Sequence, residues 1–427
     1  MDKIHICFVN PPHPYLTQPK AQAPLGLLYV AASVREGGFP VSFVDLSDKR
    51  LDEKIELPKA DIYGLTGTVL DIRACHRVAI YIRSKYPEAK IIIGGPASLS
   101  PIYIDETLID SVVAGEGELE IFNVIADYPN LKQYYRAERV TNLDMLPFPA
   151  RDLLGGNLGG DVFVDRKRHF EGGSTVISTS RGCPFDCTFC ASPKIWGRKI
   201  IYRSAESVVQ EVDHVIEKYG VRQLRFSDDN LTYNREELTK LCTHLRGKKI
   251  AWRASIRATP NDVVMFQMMK DAGCVEVCFG TESGDPDVLR TLRKKITVRE
   301  NRDSIVNAKE AGLDVRVLMM IGTPGETVRT VDRTIEFIER VKDSIDTIAV
   351  TNFTPLPGCA IADEPEANHC EILDYDIDHY NLCLWGPEGR NEWANHIRPY
   401  ALTLEQLTEN KKRMVDYILS IGKTNRG

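Results

Sequence analysis

Three thiols stand within eight residues, in Ser180-Arg181-Gly182-Cys183-Pro184-Phe185-Asp186-Cys187-Thr188-Phe189-Cys190. At the spacing Cx3Cx2C one loop can present three thiolates to three irons of a 4Fe–4S cluster, because such clusters are generally held by cysteine thiolate. The fourth iron then lacks a protein ligand and is open to a small molecule. A structural zinc site is the competing reading, but it wants four ligands and the neighbourhood supplies no fourth. Three incidental cysteines are the remaining one. Others are scattered: Cys7, Cys242, Cys274 and Cys278 sit singly in apolar runs, where free cysteine behaves as a small hydrophobe. Cys274 and Cys278 share strand parity and are expected on one face, as core rather than as a second cluster. Eleven cysteines in 427 residues form no disulfide framework of the kind small secreted domains need.

The elements that must position this loop alternate. Ile4–Val9, Val41–Asp45, Asp61–Thr66, Lys90–Ile93 and Ser111–Ala114 are short and strand-like, with helical patterns over Gly26–Glu36 and Ile72–Lys85. Such alternation predicts a doubly wound parallel sheet over 1–140, with ligand-binding turns at the strand C-terminal ends. Residues 141–172 are dense in proline and glycine and read as a linker. A second series then runs over 173–355. Its strands are Thr175–Thr179, Gln223–Ser227, Ile250–Ala254, Val275–Gly280, Val315–Ile321 and Thr347–Phe353, with five helices between them. Six strand–helix units are fewer than the eight of a closed barrel, so a partial (β/α)6 TIM-type barrel is expected. Gly220, Gly273 and Gly312 fall where its helices should end. Residues 356–427 make a small, mainly helical C-terminal region.

A Cx3Cx2C loop directly after the first strand of such a series resembles the radical S-adenosylmethionine (AdoMet) enzymes. More narrowly, the chain resembles the class with an N-terminal cobalamin-binding-type domain, and the likeness covers nearly all of 1–355. The resemblance implies that Cys183, Cys187 and Cys190 bind the cluster and that AdoMet chelates the unique iron. One electron then cleaves AdoMet to methionine and a 5′-deoxyadenosyl radical, which abstracts hydrogen from substrate. Phe189 corresponds to the aromatic near the adenine. Asp228 and Asp229, after the second strand, are expected on the open face, where they could accept from the AdoMet ammonium; a helix N-cap is the alternative. Glu282 and Ser283 end the fourth strand, where similar enzymes hold the ribose or methionine part of AdoMet; a satisfied turn is the alternative. Gly322 begins a loop whose glycines let backbone approach an adenine. Arg253 and Arg257 flank the end of the third strand and could meet a carboxylate.

The loops around Pro24, Thr66, Gly94-Gly95 and Gly115-Glu116-Gly117-Glu118 resemble those that receive cobalamin. Two departures bear on that cofactor. The chain has no Asp-x-His-x-x-Gly motif, and Ala97 follows Gly94-Gly95-Pro96 where many relatives carry histidine. His13, after the first strand, could face a ligand, whereas His76 and His214 read as ordinary helix residues. In related enzymes the C-terminal segment covers the barrel mouth. Here it is acidic and aromatic, and Asp376, Asp378 and Trp385 are candidates for holding a polar, cationic substrate such as an amino sugar; a solvated charged surface is the alternative.

Composition narrows the class. A net charge of −6 disfavours a nonspecific nucleic-acid binder. No window approaches the length of a membrane span, and the N-terminus reads as a buried strand rather than a signal peptide. The expectation is a cytoplasmic enzyme that receives electrons from a donor such as flavodoxin or ferredoxin. It would use the radical for cobalamin-dependent C-methylation, or, without cobalamin, for dehydration, rearrangement or epimerisation. A non-catalytic iron–sulfur redox sensor is the reading from another class.

Overall fold

The structure, a computed structural model, describes residues 3–13, 16, 18–156, 158–159, 172–259, 261–377, 380 and 395–423. The first apolar run forms β1 (Ile6–Asn10), buried at every position. It is followed by α1 (Leu25–Glu36), β2 (Val41–Asp45), β3 (Ile62–Thr66), α2 (Ile72–Lys85), β4 (Lys90–Gly94), β5 (Ser111–Ala114), α3 (Gly117–Asp127) and β6 (Tyr134–Arg136). The six strands are parallel in the order β2-β1-β3-β4-β5-β6. Connections leave β1 toward β2 on one side and β3 on the other, which opens a crevice beyond the strand C-terminal ends. Both faces are covered, as a parallel sheet requires. Ala31, Val34, Ile121 and Val124 of α1 and α3 pack one face. Val78, Ala79 and Ile82 of α2 pack the other. Helix α3 and strand β6 were not legible in the sequence. Strand β6 has three residues, two of them exposed, so it carries no alternation to read.

Strand β7 (Gly173–Ile177) opens the second sheet. The chain then makes a small excursion. Two-residue strands β8 (Ser180–Arg181) and β9 (Ile201–Tyr202) pair antiparallel and enclose the cysteine loop with α4 (Ser192–Trp196). The regular series follows: α5 (Ala205–Tyr219), β10 (Val221–Phe226), α6 (Arg235–Leu245), β11 (Ala251–Ile256), α7 (Val263–Asp271), β12 (Cys274–Glu282), α8 (Pro286–Thr291), α9 (Val298–Glu310), β13 (Asp314–Ile321), α10 (Val328–Val341) and β14 (Thr347–Asn352). The strands lie in the order β14-β13-β12-β11-β10-β7, all parallel. The barrel is therefore open between its first and last strands. Helix α10 shows why its sequence folds this way. Val331, Thr334, Phe337, Ile338 and Val341 are buried at helical spacing, and Thr327 accepts the Thr330 amide to start it. Helix α5 ends at Gly220, whose φ of +66° is left-handed. No helix among the described residues is long and apolar enough to cross a membrane.

The tail continues as α11 (Ala360–Asp363), the antiparallel pair β15 (Cys370–Ile372) and β16 (Ile397–Pro399), and α12 (Leu404–Ser420). Cys359, Ile361, Cys370 and Ile397 pack against Phe189 of the cysteine loop and Met320 of β13. This part of the tail therefore lies over the barrel end that carries the thiols.

One expectation about parity fails. The β11–β12 register shifts between Trp252 and Arg253, which pair with Cys274 and Glu276, so Val275 is passed over. A bulge of this kind inverts facing beyond it. Cys274 is therefore in the core with Trp252. Cys278 instead feels Arg225, Arg253 and Arg316 of the neighbouring strands.

Candidate functional site

The cysteine loop turns sharply at its start. Gly182 has a φ of +106°, and a Cβ there would sit 2.5 Å from the Lys199 carbonyl oxygen, so glycine is required. Beyond it Cys183, Cys187 and Cys190 are all half-buried. The loop is pinned from two sides. The Thr188 amide donates to Leu292 O at 3.0 Å, and the Ile361 amide donates to Thr188 O at 3.0 Å. Burial raises the Cys183 thiol and pushes Cys190 up to about 12. Cys190 also feels both other thiols of the loop. Such thiols stay protonated near neutral pH unless a cationic centre draws the protons off, as iron does. Among the described residues no three His, Cys, Asp or Glu are arranged to hold one metal ion. Three half-buried thiols on one loop suit a cubane, which takes each thiolate at a different iron.

The two carboxylates after β10 have different surroundings. Asp229 is exposed at the strand end and accepts from Ser192 Oγ at 2.5 Å. Asp228 is 4% exposed. Its oxygens accept from Thr179 N and Oγ1 and from Ser180 Oγ, at 3.2, 2.7 and 2.6 Å. The expectation that both point to the open face is thus corrected. Asp228 turns back under the barrel's first loop, because three donors there compensate its burial.

At the end of β12, Glu282 is buried with a φ of +65°, unusual for a side-chain-bearing residue. It accepts from Lys294 Nζ at 2.8 Å, and that ammonium also lies 5.3 Å from the centre of the Phe189 ring. The sequence reading missed Lys294. Only the fold brings it beside the residue twelve positions earlier. Ser283 is 5% exposed, and its hydroxyl contacts Thr334 Oγ1 and accepts from the Asp285 amide. That is the satisfied-turn alternative rather than an open ligand contact. After β13, Gly322 donates its amide to Glu326 at 3.0 Å. Lys411 of α12 packs near it and donates to Asn395 Oδ1, and burial lowers this amine to about 7.

Arg253 lies within β11, the third strand of the barrel, and Arg257 directly follows it. Arg253 faces Glu276 at 3.4 Å. Arg257, just past β11, is 6% exposed and reaches the cysteine loop. Its guanidinium lies 3.8 Å from the Phe185 ring centre, and Nη1 is 3.6 Å from Cys187 Sγ.

Across from this loop, the strand ends of the first sheet border a cavity of about 750 Å³. Pro24, Thr66, Gly94, Gly95, Gly115 and Gly117 line it, and so do Pro193–Gly197 of α4 and its end. Its floor is made for close approach. Gly95 has a φ of +74°, and a Cβ there would be 2.7 Å from Thr66 Oγ1. A flat corrin fits such a floor of small residues, and among the described residues no histidine lines the cavity. His13 contacts Asp71 at 2.6 Å.

Arg181, two residues before Cys183, joins the two regions. It meets Glu118 Oε1 at 2.6 Å and Glu116 Oε2 at 3.5 Å. Its guanidinium also lies 5.3 Å from the Tyr29 ring and 5.1 Å from Trp196. All three charged side chains are buried. The Gly-Glu-Gly-Glu turn therefore borders the cavity with all four residues and also sets its two carboxylates on the cysteine loop's own arginine.

Asp376 does not reach the barrel interior. It sits 3.5 Å from Arg73 of α2, on the first domain, and is largely exposed. The reason is apolar: neighbouring Ile377 and Tyr380 bury into that domain's core. Asp378 and Trp385 lie outside the described residues.

Comparison with known proteins agrees with this geometry. The radical SAM superfamily model matches residues 177–338, and the B12 binding domain model matches residues 19–124. An uncharacterised methyltransferase of Pyrococcus horikoshii is 31% identical over 81% of this chain and 79% of its own length. An anaerobic magnesium-protoporphyrin IX monomethyl ester cyclase of Synechocystis is 25% identical over 94% of this chain and 84% of its own. Among solved structures, the methyltransferase TsrM of Kitasatospora setae, with cobalamin and a [4Fe-4S] cluster bound, superposes with a TM-score of 0.69 at 16% identity. That match covers 99% of this chain and 90% of TsrM. The cobalamin-dependent enzyme OxsB gives 0.66 at 20% identity over 80% of this chain, which spans about half of OxsB (53%). The chain belongs to the radical SAM superfamily, with a B12-binding domain preceding its radical SAM domain.

Proposed function

We propose that this radical SAM enzyme is a cobalamin-dependent methyltransferase that acts on an unactivated carbon of a polar small molecule. One observation carries the reading. The small-residue cavity on the first sheet and the three-cysteine loop share a wall, Pro193–Gly197, which begins three residues after Cys190. When bound, the cluster with AdoMet supplies a hydrogen-abstracting radical, and the corrin supplies a methyl group.

The chain's own residues bind, orient and exclude water. Cys183, Cys187 and Cys190 hold the irons. Asp229, with its carboxylate at the open strand end, accepts from the AdoMet ammonium, while Asp228 keeps the loop's base in shape. Phe189, Glu282 and Lys294 form one wall of the AdoMet site, and Gly322 presents backbone to the adenine. Pro24, Thr66, Gly94 and Gly95 receive the corrin. The tail over Phe189 keeps water from the radical. The reductant is a small flavodoxin- or ferredoxin-type carrier, and the compartment is the cytoplasm, where the free cysteines of the described chain stay reduced. The working division is 1–140, 141–172, 173–355 and 356–427.

A second reading keeps the radical and drops methyl transfer, as the likeness to a cyclase allows. Anaerobic reconstitution separates the two. Corrin absorbance, with both 5′-deoxyadenosine and S-adenosylhomocysteine formed from AdoMet, is the expected result. 5′-Deoxyadenosine without S-adenosylhomocysteine, on a corrin-loaded sample turning over substrate, favours the second. A loaded sample that forms neither across candidate substrates overturns both.

A further inference from the structure

Arg257 is the most unusual cation of the described chain. It is 6% exposed, yet its Nε and Nη2 find no hydrogen-bond partner. Nη1 has a single contact, the Cys187 sulfur at 3.6 Å. Its position is held firmly. Its amide donates to Asn230 Oδ1 at 3.2 Å, its carbonyl accepts from Asn261 Nδ2 at 3.0 Å, and its guanidinium lies against Phe185. Phe185 in turn meets Tyr233 edge-on at 5.9 Å. A buried guanidinium with two idle donors is costly unless an anion faces it. Phe185 and Cys187 belong to the same loop, so the arginine is aimed at the ligand set rather than at solvent.

We propose that Arg257 sets the reduction potential of the cluster held by this loop, by donating to the Cys187 thiolate. The inference rests on the iron–sulfur reading above and adds a positioning residue to it. The couple takes up one electron from an external low-potential donor, and no bond to protein forms or breaks. The extra electron makes the cluster–thiolate assembly more negative by one charge. A fixed cation hydrogen-bonded to one of its sulfurs therefore favours the reduced form over the oxidised one. The low dielectric around a buried arginine strengthens that preference. A lysine would retain charge but not the planar fork that lies on Phe185 while reaching sulfur.

The test uses the reconstituted full chain without AdoMet, titrated with dithionite and followed by electron paramagnetic resonance. In Arg257→Gln the reduced-to-oxidised ratio at a fixed potential should fall at least tenfold, a downward shift of about 60 mV for a one-electron couple. Arg257→Lys should lie between it and the wild type. An unchanged potential in a variant with full iron content overturns the proposal. An unchanged potential with weakened AdoMet binding in a separate calorimetric titration would assign the guanidinium to AdoMet alone and overturn the proposal as well. Should both variants load iron poorly, wild-type protein labelled with 15N-arginine decides by pulsed resonance: a guanidinium 15N coupling to the reduced cluster is expected, and its absence overturns the proposal. Failure of the wild type to take up a cluster would instead sink the iron–sulfur reading itself.

Discussion

Arg181→Met should loosen the joint between the two domains. The wild-type guanidinium is 7% exposed, and the two carboxylates it meets, Glu116 and Glu118, are 4% and 3% exposed. Removing the cation leaves buried Glu118 facing a thioether, while Glu116 keeps Arg139 at 3.6 Å. Breaking a buried ion pair from one side costs about 3–5 kcal/mol, because the remaining charge is uncompensated. The lost stacking on Tyr29 and Trp196 adds roughly 0.5–2 kcal/mol. The full cost should fall on the contact between domains, since Arg181 lies in the second and Tyr29, Glu116 and Glu118 in the first. A chain of this size need not unfold in two states, so the midpoint of the first urea transition is the quantity to compare. Trp196 fluorescence should follow it, because that ring touches the arginine. The triple variant Arg181→Met, Glu116→Gln, Glu118→Gln, in which Arg139 keeps its bonds to the Lys199 and Arg181 carbonyls, should recover most of the loss, as pairs replaced on both sides often do. A single variant within about 1 kcal/mol of wild type, with a triple variant no better, would refute the strut.

Three further outcomes are expected. Asp228→Ala should lower iron content, because it strands three buried donors of the loop, whereas Asp229→Ala should leave iron content intact and weaken AdoMet binding; equal effects in calorimetry and iron assay would contradict the division. Gly182→Ala should be poorly folded in its cluster loop, since a Cβ there meets a backbone oxygen at 2.5 Å; wild-type iron uptake would show that the turn has slack. Lys411 is lowered by burial to about 7 from an ordinary 10.5, so the unfolded chain binds the extra proton between those values. Its contribution to stability should therefore rise with pH across that window, by at most about 1.4 kcal/mol per pH unit. Lys411→Met should flatten the rise in urea midpoints measured from pH 7 to 10.5, and an unchanged slope would place the titration elsewhere.

Much of this protein is written locally. Val41–Asp45 and Ile72–Lys85 follow from hydrophobic period alone and appear with those bounds. The Cx3Cx2C spacing places three thiols on one loop whatever surrounds it. Strand β6 escaped because three residues carry no period. Other features depended on partners distant in the chain. A passed-over Val275 separates Cys274 from Cys278, and a bulge is set by the neighbouring strand rather than by its own residues. Asp228 and Asp229 are adjacent and chemically identical, yet only the fold offers one of them Thr179 and Ser180 and leaves the other at the open end. Asp376 was drawn to the first domain by the burial of Ile377 and Tyr380. Arg257 meets Cys187 across 70 positions, and Arg181 meets Glu118 across 63. Period and spacing are properties of a short stretch, so the sequence alone determined the elements and the ligand set. Which charge faces which is decided by burial, where an ion must find its counterpart, and that pairing exists only once distant segments have packed.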